Sequence, residues 1–286
     1  MLKSSMRIRL LALYLVACSM LGVSACHVTD AFDASGNETA SDSFSFRIEV
    51  SQQSRLRIAG INGPITITAR PGVPAVEIWG EKSVTSRSQS DARSYLSRLE
   101  VRVSDSHDEI VVKTVQPDDT DGRSLEVEYH LLVPDYWLAS IENVNGEVTL
   151  DSLRNHCDVV VLNGNVRLRQ ITGSVQVSLT NGNVFLAGIQ GNSEVHLING
   201  NIFAEVTMPP SGSCEMNATN GAIDLRIPRD TSAQVSAEVT NGSIMITELV
   251  LHQSTSSTHI VQGRLADGEG TIALRTVNGN IRVGGF

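Results

Sequence analysis

The sequence lacks any cluster of basic residues. Its 22 Lys and Arg are outnumbered by 31 Asp and Glu, for a formal net charge of −9. An acidic chain of this kind offers nothing to the phosphates of a nucleic acid. It also lacks a catalytic signature. The seven histidines fall in no H-E-x-x-H and in no Cys/His metal spacing. No G-x-S-x-G occurs, and no Ser/His/Asp arrangement stands out. "GEGTIA" at 268–273 is half of a dinucleotide fingerprint that opens no βαβ unit, and it reads as a glycine turn. No cofactor and no metal are expected. Long apolar runs are missing too, apart from one at the N-terminus.

That one run has the form of a targeting segment. "MLKSSMRIR" carries three positive charges, and "LLALYLVACSMLGVSA" is apolar with small residues at its end. Cys26 follows directly. Small residues before a cysteine resemble the lipobox of bacterial lipoprotein signal peptides, in which cleavage precedes the cysteine and the cysteine is then lipidated. Residues 1–25 are therefore expected to be a lipoprotein signal peptide and Cys26 the lipidation site. "LVAC", ending at Cys18, and an ordinary secretory signal are the alternatives. The apolar stretch falls short of the ~20 residues of a membrane-spanning helix. Loss of the leader's three Lys and Arg would move the charge from −9 to −12. The segment 26–43, "CHVTDAFDASGNETASDS", is poor in large apolar residues and reads as a flexible tether. His27, rather than Asp, follows the cysteine. By resemblance to bacterial sorting signals, this points to the outer membrane if the organism has two membranes.

What the sequence has in abundance is Asn-Gly. The pair occurs at Asn62, Asn145, Asn163, Asn181, Asn199, Asn220, Asn241 and Asn278. Asn-Gly between apolar residues is the strongest short hairpin signal, but from Asn145 the spacings are 18, 18, 18, 21, 21 and 37. A fixed period near 20 marks a solenoid. Three residues after Asn stand Val148, Val166, Val184, Ile202, Ile223, Ile244 and Ile281. Leu150, Leu168, Leu186, Ala204, Leu225, Ile246 and Val283 lie five after, and polar residues mostly separate these columns. Hairpin arms around each turn would be unequal and leave buried ladder groups unpaired. Insertions ("MPPSG", "IPRDT" and the segment 252–270) all fall after the second strand of a rung. The expected fold is thus an all-β parallel β-helix with rungs of about 18–21 residues over 141–286. An antiparallel meander or barrel is the alternative. Each Asn-Gly would form a rung corner, with Asn145, Asn163, Asn181, Asn199, Asn220, Asn241 and Asn278 as a structural ladder. Region 44–140 is less regular, with alternating strands and a short helix near Ser90–Leu99 that caps the coil.

The run "YHLLVPDYWLASIENVNGEVTL", the serial "NGNV/NGNI/NGAI" rungs, "AIDLRIP" and "GEGTIALRTVNGNIRV" resemble the bacterial putative-adhesin β-repeat family, a domain of unknown function. The resemblance spans roughly residues 44–286. It implies a β-helical, surface-associated module without catalysis, and it supplies no catalytic motif.

Three constellations stand out. Outward residues four after Asn include Phe185, Phe203 and Met245, a candidate binding strip in a chain with only six Phe. The segments covering the coil could equally hide them. Glu194, His196, Glu215, Asn217 and Glu238 form a candidate polar face across three adjacent coils, with no Lys or Arg among them. Asp119, Asp121 and Glu128 match calcium-loop positions in part, but Pro117 takes the first ligand place and strands flank the loop. An acidic turn is the better account. Cys157 and Cys214 share an inward column three rungs apart. At ~4.8 Å per rung they are too distant for a disulfide and should be buried free thiols.

The expected function is that of a lipid-anchored cell-envelope protein that binds or scaffolds. Its partners would be the membrane, through the lipid, and an envelope protein or surface glycan. A carbohydrate-active β-helix enzyme and an accessory of envelope-stress signalling are the alternatives.

Overall fold

The computed structural model describes residues 29–32 and 37–286. The expected signal peptide and lipidation site, Cys26 included, lie outside these residues. The chain opens with β1 (Thr29–Phe32), β2 (Glu38–Glu49), β3 (Arg55–Ala59), β4 (Ile65–Arg70), β5 (Ala75–Ser86) and the helix α1 (Gln89–Leu96). Next come β6 (Glu100–Asp105), β7 (Glu109–Val115) and β8 (Ser124–Pro134). From there the strands come in pairs, one on each side of an Asn-Gly: β9 (Leu138–Asn145) with β10 (Val148–Asp151), and β11 (Cys157–Asn163) with β12 (Val166–Arg169). The series continues with β13 (Val175–Asn181), β14 (Val184–Gln190), β15 (Ser193–Asn199), β16 (Ile202–Thr207), β17 (Ser213–Asn220), β18 (Ile223–Ile227), β19 (Ala233–Asn241) and β20 (Ile244–Thr247). A hairpin, β21 (His252–Ser256) and β22 (Ile260–Leu265), precedes the final pair, β23 (Gly270–Asn278) and β24 (Ile281–Gly285).

Two sheets of twelve strands face each other across the core. Each rung gives one strand to each sheet, and rungs stack in parallel with residues three and five after each Asn in register. Val148, Val166, Val184, Ile202 and Ile223 align in one sheet. Strand β3 and strand β4 supply one further rung, since β3 pairs with β9 and β4 with β10. Period-two alternation with β-branched residues inside makes each strand half-buried. Leu153, Ile171 and Ile189, eight after Asn, are fully buried where the rung bends back.

The corners explain why Asn-Gly recurs. Every corner glycine from Gly146 onward has a positive φ, for example +144° at Gly164. A Cβ on Gly164 would sit 2.1 Å from the carbonyl oxygen of Gly146 in the rung beneath. Glycine thus permits both the conformation and the close stacking. The asparagines stack through their amides: Nδ2 of Asn163 donates to Oδ1 of Asn145 and Nδ2 of Asn181 to Asn163, each at 2.8 Å. The same bond links Asn199, Asn220, Asn278 and Asn241 in turn, and Asn145 to Asn62.

In that ladder Asn278 precedes Asn241, which corrects the expected sequential order of rungs. Strand β23 lies between β17 and β19, and β24 between β18 and β20. The chain leaves one rung position open after β18 and fills it with its last two strands. The sequence cannot reveal this, because every rung presents the same corner and the same apolar columns. The segment expected as an insert at 252–270 contains a hairpin whose strand β22 pairs antiparallel with β19 and covers that edge.

The N-terminal side differs from expectation in the segment read as a flexible tether. Residues 38–43 belong to β2, which pairs along its whole length with β5, and Thr29–Phe32 forms β1 against β2. Backbone pairing, with Ala40 fully buried and Ser41 nearly so, orders a stretch that has few large side chains of its own. Helix α1 begins at an N-cap, Ser88, whose hydroxyl accepts from the Asp91 N–H. It buries Ala92, Tyr95 and Leu96, which join the same continuous core as the rungs.

Candidate functional site

The outer face of the sheet that contains β4, β10 and the later second strands carries one unbroken row of side chains. Pairing registers align Trp79, His130, Thr66, Thr149, Arg167, Phe185, Phe203, Asp224, Arg282 and Met245. Its centre is the pair Phe185 and Phe203, whose rings stack 5.3 Å apart at 10°. The Arg167 guanidinium lies 4.2 Å from the centroid of Phe185 on the opposite face and is held there by Glu147, 3.0 Å from its Nε. Phe203 is 43% exposed. Among the described residues, neither the N-terminal strands nor the hairpin covers it.

The third member expected in this strip stands apart. Met245 is exposed, but Asp224 and Arg282 separate it from Phe203 because the last rung intervenes. The row instead gains two residues from the N-terminal region. Trp79, 42% exposed, stacks on His130 at 5.6 Å and 17°, and Glu128 fixes the imidazole at 2.9 Å. No local signal places Trp79 in line with the phenylalanines, since the alignment arises from long-range pairing of β5, β8 and β4.

The candidate polar face lies on the other sheet. Glu194 aligns with Glu215 and His196 with Asn217, as the register requires. The like charges are turned aside by local partners: His196 is 2.8 Å from Glu194, and Asn217 donates to Glu215 at 2.8 Å. Two expectations are corrected here. Glu238 is not on the rung next to Asn217, because β23 places Arg275 between them. An arginine therefore does join the face, and its Nη2 pairs with Glu238 at 2.9 Å. The carboxylates are engaged with neighbours rather than gathered in a cleft.

A second outward column on this sheet escaped the sequence reading. Immediately before the corner asparagines stand Val144, Leu162, Thr180, Ile198, Thr219, Val277 and Thr240, of which Leu162 and Ile198 are nearly half exposed. The alternation of the strands could have shown it, since residues at odd distances before Asn point outward.

Cys157 and Cys214 are buried and free. The register Cys157, Val175, Ser193, Cys214 puts them three rungs apart. Burial pushes both thiols up to about 12, which leaves them without thiolate character. The acidic turn is tied to α1. Arg123 binds Asp91 through Nε at 2.6 Å and lies 3.6 Å over the Tyr95 ring, while Tyr95 donates to Asp121 at 2.8 Å. Hydrogen bonds from Arg123 and Ser86 hold the Asp91 carboxyl down at about 2. Among the described residues, no three or more His, Cys, Asp or Glu side chains are grouped so as to hold a metal ion.

The family described as Toastrack DUF4097 matches residues 138–284, the span of the stacked rungs. No curated protein matches the chain. Several solved structures are similar at low identity. A putative cell adhesion protein from Clostridium sporogenes is 9% identical, with a TM-score of 0.36, over 85% of this chain and 99% of its own. A putative adhesin from Bacteroides fragilis is 12% identical, with a TM-score of 0.35, over 85% and 97%. Another from Parabacteroides distasonis is 11% identical, with a TM-score of 0.28, over 84% and 96%.

Proposed function

The chain belongs to the Toastrack DUF4097 family, and from that premise we propose that it acts at the cell envelope by binding or scaffolding, without catalysis, held by lipid on Cys26. One observation carries the binding role. Phe203 is exposed and stacks on the half-buried Phe185 in the middle of a rung-stacked sheet. The exposed Phe203 ring forgoes the stabilisation that burial would give, and an exposed aromatic on a stacked pair is a natural anchor for a partner. Arg167 and Glu147 on one side and Asp224 on the other give this anchor a polar rim. An envelope protein or a surface glycan is the kind of partner that fits.

The anchoring part of the proposal rests on the leader sequence. No helix among the described residues is long and apolar enough to cross a membrane. Several acyl chains on one cysteine would hold the protein far better than a single chain. No feature of the geometry favours the carbohydrate-active enzyme, because Glu194, Glu215 and Glu238 are each engaged by a neighbour. Metabolic labelling with an acyl-chain analogue tests the anchor. Cys26→Ser should abolish acylation, and acylation retained in that variant but lost in Cys18→Ser would refute the assignment. For the binding role, a photo-crosslinking aromatic residue placed at Phe203 of the full chain should trap one defined partner in its native envelope. The same group on the exposed β6 position Glu100 should not. Equal trapping at both positions would refute the strip.

A further inference from the structure

The hairpin β21–β22 does more than cover an edge. Where it meets β19 and β23 it borders a half-open hollow of about 340 Å³, within the size range of small-ligand sites. The registers show how the cavity is built. Arg264 lies beside Gln234, which lies beside Thr271, and Gln262 lies beside Ser236, which lies beside Ala273. The small residues Ser236 and Gly263 line the hollow, and Gln253 and Thr255 border it from β21.

Its chemistry is unusual for this molecule. Gln234, Gln253 and Gln262 contribute three amides, while Ser236, Thr255 and Thr271 contribute three hydroxyls. The one charged lining residue is Arg264, half-buried and without an ion-pair partner among the described residues. Elsewhere on the surface most arginines are paired with a carboxylate, as Arg275 is with Glu238 and Arg229 with Glu248. A half-buried guanidinium without a counter-charge is costly, and a bound anion would supply one.

We propose that this cavity is a binding site for a uronic-acid residue of an acidic glycan. The guanidinium takes the carboxylate, which it matches as a planar fork. The amides and hydroxyls take the ring hydroxyls, because side-chain amides can donate and accept at once. A single arginine suits a monoanion. A phosphate would call for more positive charge or a helix N-terminus, and α1 lies in the N-terminal region, packed beside β2 and β5. The site goes beyond the proposed role of the aromatic row and is formed by different strands, so the two can fail separately.

The test is calorimetric titration of the full chain with tri-galacturonate, with neutral tri-galactose and an N-acetylated glutamate peptide as comparison ligands. Saturable binding of the uronate alone is expected. Arg264→Gln should weaken it by roughly tenfold or more, the loss of a hydrogen bond to a charged group, with an unchanged melting temperature. Phe203→Ser should leave it unaffected. Equal binding of the neutral sugar, equal affinity in Arg264→Gln, or no saturable uronate binding would overturn the site. Binding of the peptide without the uronate would overturn the ligand class.

Discussion

A corner glycine in this coil does two jobs that no other residue can do together. At Gly164 the backbone has φ +144°, and the next rung down brings a carbonyl oxygen to within 2.1 Å of where a Cβ would stand. At Gly122 φ is also positive, but the surrounding space is open. Gly164→Ala should therefore cost on the order of 2–4 kcal/mol through combined strain and displacement of the neighbouring rung. Gly122→Ala should cost only about 1 kcal/mol. Urea unfolding midpoints compare them directly, and equal losses would mean that stacking adds nothing to backbone strain. Asp158 shows the opposite kind of residue effect. Burial, aided by Glu142 and opposed by His156, raises its carboxyl above the ordinary value of 3.8. A raised acid binds its proton more tightly in the folded state, so this group's contribution declines as pH climbs from about 3.8 through the folded value. Asp158→Asn should then be the more stable protein at pH 7, with the difference vanishing below pH ~3.5. Melting temperatures across that range test the sign.

At the level of the strand, inward and outward positions alternate so strictly that neighbours in sequence should differ sharply in energetic weight. Val184 and Ile202 are fully buried, while the adjacent Phe185 and Phe203 line the outer face. Val184→Ala and Ile202→Ala should each cost about 1–4 kcal/mol. Phe203→Ser should change stability by about 1 kcal/mol or less. A large loss at Phe203 would mean that the ring is structural and would remove it as an anchor. The inward and outward columns are readable in the sequence because the strand period is two and each rung restarts at Asn. The second bend of the rung is not readable. Ser152, Gln170, Gly188 and Glu248, all seven after Asn, adopt positive φ, yet four different side chains share the position and three pay the left-handed penalty without a glycine. Stacking on the rung below decides their conformation. The helix-to-strand region around α1 shows the same limit from the other side: a helix near Ser90–Leu99 is legible in the sequence, and the structure has it at Gln89–Leu96, but its pairing partners are set at long range.

For the whole molecule, the order of the rungs is the property that local sequence determines least. Asn220, Asn241 and Asn278 have interchangeable corners, and the apolar columns of their rungs accept either neighbour. The candidate polar face depended on that order, which is why Arg275 between Asn217 and Glu238 could not be foreseen. Crosslinking decides the arrangement in solution. Along the outward column, Arg275 neighbours Asn217 on one side and Glu238 on the other. Adjacent parallel strands lie ~4.8 Å apart, inside the reach of a disulfide, whereas Asn217 and Glu238 are two strands and ~9.6 Å apart, beyond the limit of about 7 Å. Cys157 and Cys214 point inward and are buried, so they do not compete for the new thiols. The double variant Glu238→Cys with Arg275→Cys should therefore oxidise to an intramolecular disulfide, as should Asn217→Cys with Arg275→Cys. Asn217→Cys with Glu238→Cys should remain reduced under the same mild oxidant. Peptide mapping without reduction reads all three. A 217–238 crosslink with no 275 crosslink would restore sequential stacking, returning the last rung to the end of the coil, where β23 would displace β22 from the edge of β19.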